Sequence, residues 1–105
     1  MKKVHIDFET RSRVNIWDTG AYVYAASPTT EPLCVAYAVG EEPVKIIRKA
    51  DIDMWPLIDP FEELRELAKD PEVLFYAHNA LFEQLIWKFK FQAFDLPPLP
   101  IIRWR

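Results

Sequence analysis

Val4-His5-Ile6-Asp7-Phe8-Glu9-Thr10 is the stretch on which the reading of this chain turns. Val4, Ile6 and Phe8 alternate with His5, Asp7 and Glu9, the period of a β-strand whose side chains leave on opposite faces. Asp7 and Glu9 therefore share a face, with Cα atoms about 6.5 to 7 Å apart at the usual strand rise. Two like charges held that close favour a divalent cation or a shared proton. An isolated Asp-x-Glu is more often the solvated end of a strand, so what the fold brings beside it matters.

Moving outward, Arg11 to Pro32 has no steady period, yet Ile16-Trp17 and Ala21-Tyr22-Val23-Tyr24-Ala25 are too apolar to stand in water; a long loop with a short helical piece, packed over the domain, is expected. Ser27-Pro28-Thr29-Thr30-Glu31-Pro32 reads as a turn-rich connector. Leu33 to Val39 is nearly continuous in apolar residues, which predicts a central strand covered on both faces. A turn at Gly40-Glu41-Glu42-Pro43 and an alternating Val44 to Arg48 complete an antiparallel hairpin. Lys49 to Leu57 signals only a buried-looking Met54-Trp55.

Asp59-Pro60-Phe61-Glu62 predicts a helix start, with Asp59 as N-cap and Glu62 completing a capping box. Phe61, Leu64, Leu67 and Ala68 mark its buried face, and Asp70-Pro71 ends it. Val73 to Ala77 is a short apolar strand running into His78-Asn79. Asn79 then caps a second helix whose stripe is Phe82, Leu85, Ile86 and Phe89, with Glu83 near the strand-to-helix junction. Trp87-Lys88-Phe89-Lys90-Phe91 interleaves aromatic and basic residues as a single-strand-binding surface does, although at helical spacing it is more often a core stripe with solvated lysines. Asp95 to Pro100 is loop-like, and Ile101 to Arg105 could begin a last strand.

Composition sets the limits. The 105 residues make one domain, 1–105, able to bury roughly two-thirds of the extended chain's surface. Half are hydrophobic and 14% aromatic, which favours a packed core over disorder. Cys34 is the single cysteine, so a thiolate metal cluster is excluded. Without an apolar run long enough for a membrane span or a signal core, the expected location is the cytoplasm. The net charge of -3 lacks the basic footprint of most nucleic-acid binders, although carboxylates that hold metal ions would themselves lower it.

Strand, hairpin, helix, strand and helix imply an α/β fold with a mixed sheet. A right-handed crossover through the first capped helix sets the fourth strand parallel to the first. Ligands of such sheets gather beyond the carboxyl ends of adjacent parallel strands. Asp7 and Glu9 thus reach the same edge as Glu83, roughly 75 residues later.

Asp7-Phe8-Glu9-Thr10 after one strand and His78-Asn79-Ala80-Leu81-Phe82-Glu83 after another resemble the first two motifs of the DEDD (DnaQ-like) 3′-5′ exonucleases. Within that family the chain is most similar to the exonuclease domain at the front of bacteriophage family A DNA polymerases. Gly20-Ala21-Tyr22, Pro28-Thr29-Thr30-Glu31 and Leu33 to Ala38 share the likeness. The resemblance implies an RNase H-like fold with a mixed five-stranded sheet flanked by helices, and hydrolysis of a terminal DNA phosphodiester by two Mg²⁺ or Mn²⁺ ions. It makes Asp7, Glu9 and Glu83 both the catalytic residues and the metal ligands, Asp7 bridging both ions and Glu83 standing where the family usually has aspartate. Phe8, Thr10, His78, Asn79 and Phe82 become candidate contacts to a single-stranded 3′ end, each with an ordinary packing or capping role as its alternative. The implied partners are DNA and a polymerase domain or subunit.

The family's third motif, a Tyr or His followed four residues later by the last metal-binding Asp, has no counterpart after Glu83. The expectation is therefore a partial domain, truncated after the second main helix and short of one ligand and the general base. The alternative is an inactive RNase H-like remnant that binds nucleic acid or a polymerase. An uncovered sheet edge in such a fragment would favour self-association.

Overall fold

The computed structural model describes residues 2–105. Four strands form one mixed sheet: β1 (Lys2–Arg11), β2 (Glu31–Val39), β3 (Lys45–Arg48) and β4 (Val73–Tyr76), in the order β3-β2-β1-β4. The β2–β3 hairpin is antiparallel, β1 and β2 are antiparallel, and β4 lies parallel to β1, as the crossover rule requires. The expected α/β class and topology are both present. The strand expected from Ile101 to Arg105 is not formed: Ile101–Arg103 is a 3-10 turn, after which Trp104 makes one isolated parallel bridge to Phe75 and the N–H of Arg105 donates to the Phe75 carbonyl at 2.8 Å.

Val4, Ile6, Phe8, Val35, Tyr37, Val39, Ile47, Val73 and Phe75 make the buried face of the sheet. Against it pack α1 (Ile16–Ala26), α3 (Glu62–Lys69), α4 (Ala80–Ile86) and the π-type turn Trp87–Phe91 that continues α4. Phe91 is the hub. Its ring stacks on Phe8 at 4.7 Å and meets Phe61 edge-on at 5.8 Å, with Phe94 at 5.7 Å and Trp87 at 6.4 Å. Offset and edge-to-face contacts of this kind add to the area each ring removes from water.

The opposite face is open. Lys3, His5, Asp7, Glu9 and Ile46 are exposed there, and Cys34, Ala36 and Ala38 only half-buried. This corrects the reading of Leu33 to Val39 as a strand covered on both faces: β2 is central within the sheet, but its small residues line a face that nothing covers. Small side chains score as apolar in sequence without demanding burial.

Other local expectations shift for identifiable reasons. Arg11 to Pro32 contains an 11-residue helix, α1, broken at Gly20, whose φ of 83° only glycine adopts without strain. Trp17 on it is 90% exposed, contrary to the expectation that this segment's apolar residues pack down. Lys49–Asp53 forms a short helix, α2, which buries Ile52 and leaves Met54 43% exposed. Asp59 does not cap α3 through a box with Glu62. Its carboxylate accepts from the Phe61 N–H at 3.0 Å and pairs with Arg65, whose guanidinium also donates to the Phe94 carbonyl at 2.8 Å. A bidentate ionic partner displaces the weaker capping geometry. Arg103 closes the other end of α3, donating to the carbonyls of Leu67, Ala68, Asp70 and Val73 at 2.6 to 3.2 Å. No helix among the described residues is long and apolar enough to cross a membrane.

Because Phe91 touches four other aromatic rings and is fully buried, Phe91→Ala is expected to destabilise the chain by about 3 to 5 kcal/mol. Urea denaturation with a conserved m-value measures this; a loss below about 1 kcal/mol would show that the hub is dispensable.

Candidate active site at the end of the β1–β4 ladder

β4 pairs with β1 only from Lys2 to His5, the last pair being His5 with Tyr76. β1 runs on to Arg11, paired with β2 alone. Backbone groups of β1 that face the β4 side are therefore left without a ladder beyond His5, and a buried N–H without a partner is unfavourable by one to a few kcal/mol, in order of magnitude. The Phe8 N–H meets this need by donating to Glu83 Oε2 at 3.2 Å. A register shift between Glu9 and Thr10, where Leu33 of β2 is skipped, ends the regular pairing just past the two carboxylates.

The helix that delivers Glu83 is set by its large aromatic residues. Asn79 caps it, its Oδ1 accepting from the Phe82 N–H at 3.5 Å. Of the expected stripe, Ile86 is fully buried and Phe82, Leu85 and Phe89 pack half-buried against the core, while Glu83, Trp87 and Phe91 join Ile86 as the fully buried positions. Burying Trp87 and Phe91, four and eight residues on, carries Glu83 to the inner face with them. Glu83 is 3% exposed. Burial, then the nearby Asp7 carboxylate and, more weakly, Glu9, push its carboxyl up to about 7, while the Phe8 N–H pulls the other way. A carboxyl tuned near neutrality is suited to proton transfer.

Asp7 and Glu9 both point to the open face, as the strand period predicts, and are exposed. The structure brings Glu83 to the backbone between them, but not into a shared cage: two carboxylates stand over the sheet, and the third is turned in its plane towards Phe8. Among the described residues, no three His, Cys, Asp or Glu side chains are gathered closely enough to hold a metal ion. The donors themselves, three carboxylates, are the hard oxygen ligands that Mg²⁺ and Mn²⁺ take.

The candidate substrate contacts fall out differently. Phe8 turns its ring into the core against Phe91, so of the roles open to it packing is the one it fills. Thr10 shares a hydrogen bond with the Tyr24 hydroxyl at 2.9 Å, and Phe82 lies half-buried 6.0 Å from the Tyr24 ring. Asn79 is occupied as a cap but exposed, and His78 is exposed. His5 stands on the open face with its ring 5.4 Å from Tyr76. Of the Trp87 to Phe91 segment, Trp87 and Phe91 are core, and Lys90 donates to the Ser27 carbonyl at 2.6 Å, which favours the core-stripe reading over a nucleic-acid surface. Sequence reasoning passed over Tyr76. Its position as the last residue of a strand parallel to β1 was the available signal. With His5, Asp7, Ala36, Ala38 and His78 it lines a shallow concavity of about 490 Å³ on the open face.

Over 97 residues the chain is 36% identical to the DNA polymerase of Bacillus phage SP02, a match that covers 92% of this chain and 14% of that protein. The chain thus spans about one-seventh of that relative's length. No family model and no solved structure matches it.

The Glu83 carboxyl gives stability a pH dependence of definite sign. Its folded value near 7 lies above the ordinary 4.5, so the folded state holds a proton that the unfolded chain releases. Stability is full below about pH 4.5 and falls as pH rises through 7, by on the order of 3 kcal/mol in metal-free buffer. Glu83→Gln keeps an acceptor for Phe8 without the titration, so its stability in guanidinium should be level between pH 5 and 8. An equal slope in both proteins would place the titrating group elsewhere.

Proposed function

We propose that this chain is part of a metal-dependent 3′-5′ exonuclease domain of the proofreading type, working beside a DNA polymerase. The observation that carries the reading is the hydrogen bond from Phe8 N–H to Glu83, which joins the two acidic motifs across 75 residues at the carboxyl end of adjacent parallel strands. Similarity to a phage DNA polymerase along nearly the whole chain supports the polymerase context. Asp7, Glu9 and Glu83 would hold two Mg²⁺ or Mn²⁺ ions, which supply Lewis-acid stabilisation and a nucleophilic water. The exposed carboxylates on the open face leave room for a DNA 3′ end, and His78 lines the same concavity with its side chain exposed.

A second reading has an observation of its own. Glu83 faces Phe8, and no three potential ligands are gathered among the described residues, as a fold retained for binding alone would allow. Incubating the chain with a 3′-labelled single-stranded oligonucleotide and Mn²⁺ separates the two. Stepwise shortening by the parent, reduced at least about 10²-fold in Asp7→Ala, is the expected result, a loss of roughly 3 kcal/mol of transition-state stabilisation. Binding without shortening would leave the retained-fold reading standing and sink the first.

A further inference from the structure

Tyr24, in the part of α1 that follows the break at Gly20, reaches the flank of each acidic motif. Its hydroxyl shares a hydrogen bond with the Thr10 hydroxyl at 2.9 Å, one residue beyond Glu9, and its ring lies 6.0 Å from that of Phe82, one residue before Glu83. The Phe8 N–H also ties the two segments, through Glu83 at 3.2 Å, the long end of the N–H···O range. The end of β1 needs a second hold. β4 has already stopped at Tyr76, and the register shift after Glu9 sets Thr10 opposite Pro32, a residue with no N–H to give. Tyr24 is itself fixed from behind. Ala25 beside it is fully buried, and the Thr30 hydroxyl donates to the Tyr24 carbonyl at 2.5 Å while lying 2.7 Å from Ser12 Oγ, just past β1. Thr30 is 4% exposed; it and Glu83 are the buried polar residues among those described.

We propose that Tyr24 is a positioning residue for the acidic site, a clamp that sets Asp7 and Glu9 on β1 at a fixed spacing from Glu83 on α4. For the use of that site the inference rests on the nuclease reading; the clamp itself is built from contacts within the chain and draws on no open surface. A tyrosine that serves packing alone needs one partner for its hydroxyl and apolar neighbours for its ring. Tyr24 spends the hydroxyl on one motif's flank and the ring on the other's, so a shift of either segment is felt through the same side chain. Thr30 and Ser12 close the loop by holding the Tyr24 backbone to the chain that leaves β1. Displacements of about 1 Å between reacting groups are enough to slow a reaction strongly, which gives a clamp of this kind its value.

The test is amide hydrogen exchange of the whole chain, followed by NMR in EDTA, in the parent and in Tyr24→Phe, Thr10→Val and Thr10→Ser. Tyr24→Phe and Thr10→Val should each speed exchange of the Phe8 N–H about fivefold, and the double variant no further, while amides of the β2–β3 hairpin keep their parent rates. Thr10→Ser retains the hydroxyl and should keep the Phe8 rate within about twofold of the parent. Circular dichroism establishes that each variant is folded, and the two Thr10 variants carry the test alone where Tyr24→Phe does not fold. A Phe8 rate within about twofold of the parent in both Tyr24→Phe and Thr10→Val overturns the clamp, and so does a rise shared equally by the hairpin, which marks a general loss of stability. Where the parent shortens an oligonucleotide in Mn²⁺, Tyr24→Phe should lower kcat about fivefold and leave KM unchanged; an unchanged kcat overturns the positioning role. The two readings fail separately. Phe8 exchange released in these variants without shortening by the parent leaves the clamp and removes the reaction, and shortening with Phe8 exchange indifferent to Tyr24 and Thr10 does the reverse.

Discussion

A single hydrogen bond, from the Phe8 N–H to the Glu83 carboxylate, holds the candidate site together. It exists because β4 stops at Tyr76 while β1 continues to Arg11, so a buried donor must find a partner outside the sheet. A carboxylate is the strongest acceptor a side chain offers for that purpose. It is also a group that resists burial, and the two effects meet in a carboxyl held near neutrality beside two further carboxylates. The junction thereby combines a structural necessity with a charge arrangement that a cation would relieve.

The aromatic core gives that bond its geometry. Phe8 and Phe91 stack across the sheet-to-helix interface, and Trp87 is anchored by its indole N–H donating to the Pro97 carbonyl at 2.9 Å. These large side chains set the rotation of α4, and Glu83 follows because it shares their face. Lying on one side of the sheet, they leave the other free. The asymmetry sorts the chain into a packed half and a half that presents Lys3, His5, Asp7 and Glu9 to solvent.

Much of this was legible before any coordinates. The alternation in β1, the β2–β3 hairpin, the apolar face of α3 and the Asn79 cap are local patterns, each contained within a few residues, and each is present. The parallel pairing of β4 with β1 followed from the handedness of crossovers. The acidic motifs were legible as residue types, and so was the edge at which they meet. Less visible were features that depend on distant partners. Arg65 draws Asp59 away from the expected capping box, Trp17 stays in solvent at the start of α1, and Tyr76 becomes part of a surface only when it stands next to His5.

What the sequence determined by itself is the list of elements and the chemistry at their ends, because periodicity and capping act over the span of one turn or one strand. Which way Glu83 faces was decided by tertiary structure alone. Its stripe could be read as centred on Phe82 or on Ile86, and periodicity does not discriminate between neighbouring settings of one helix. Burial of Trp87 and Phe91 against Phe8, and an unpaired Phe8 N–H waiting at the end of a shorter strand, turned the carboxylate inward. The open face was likewise settled by packing: apolar residues state what can be buried, and only the assembled layers state what is.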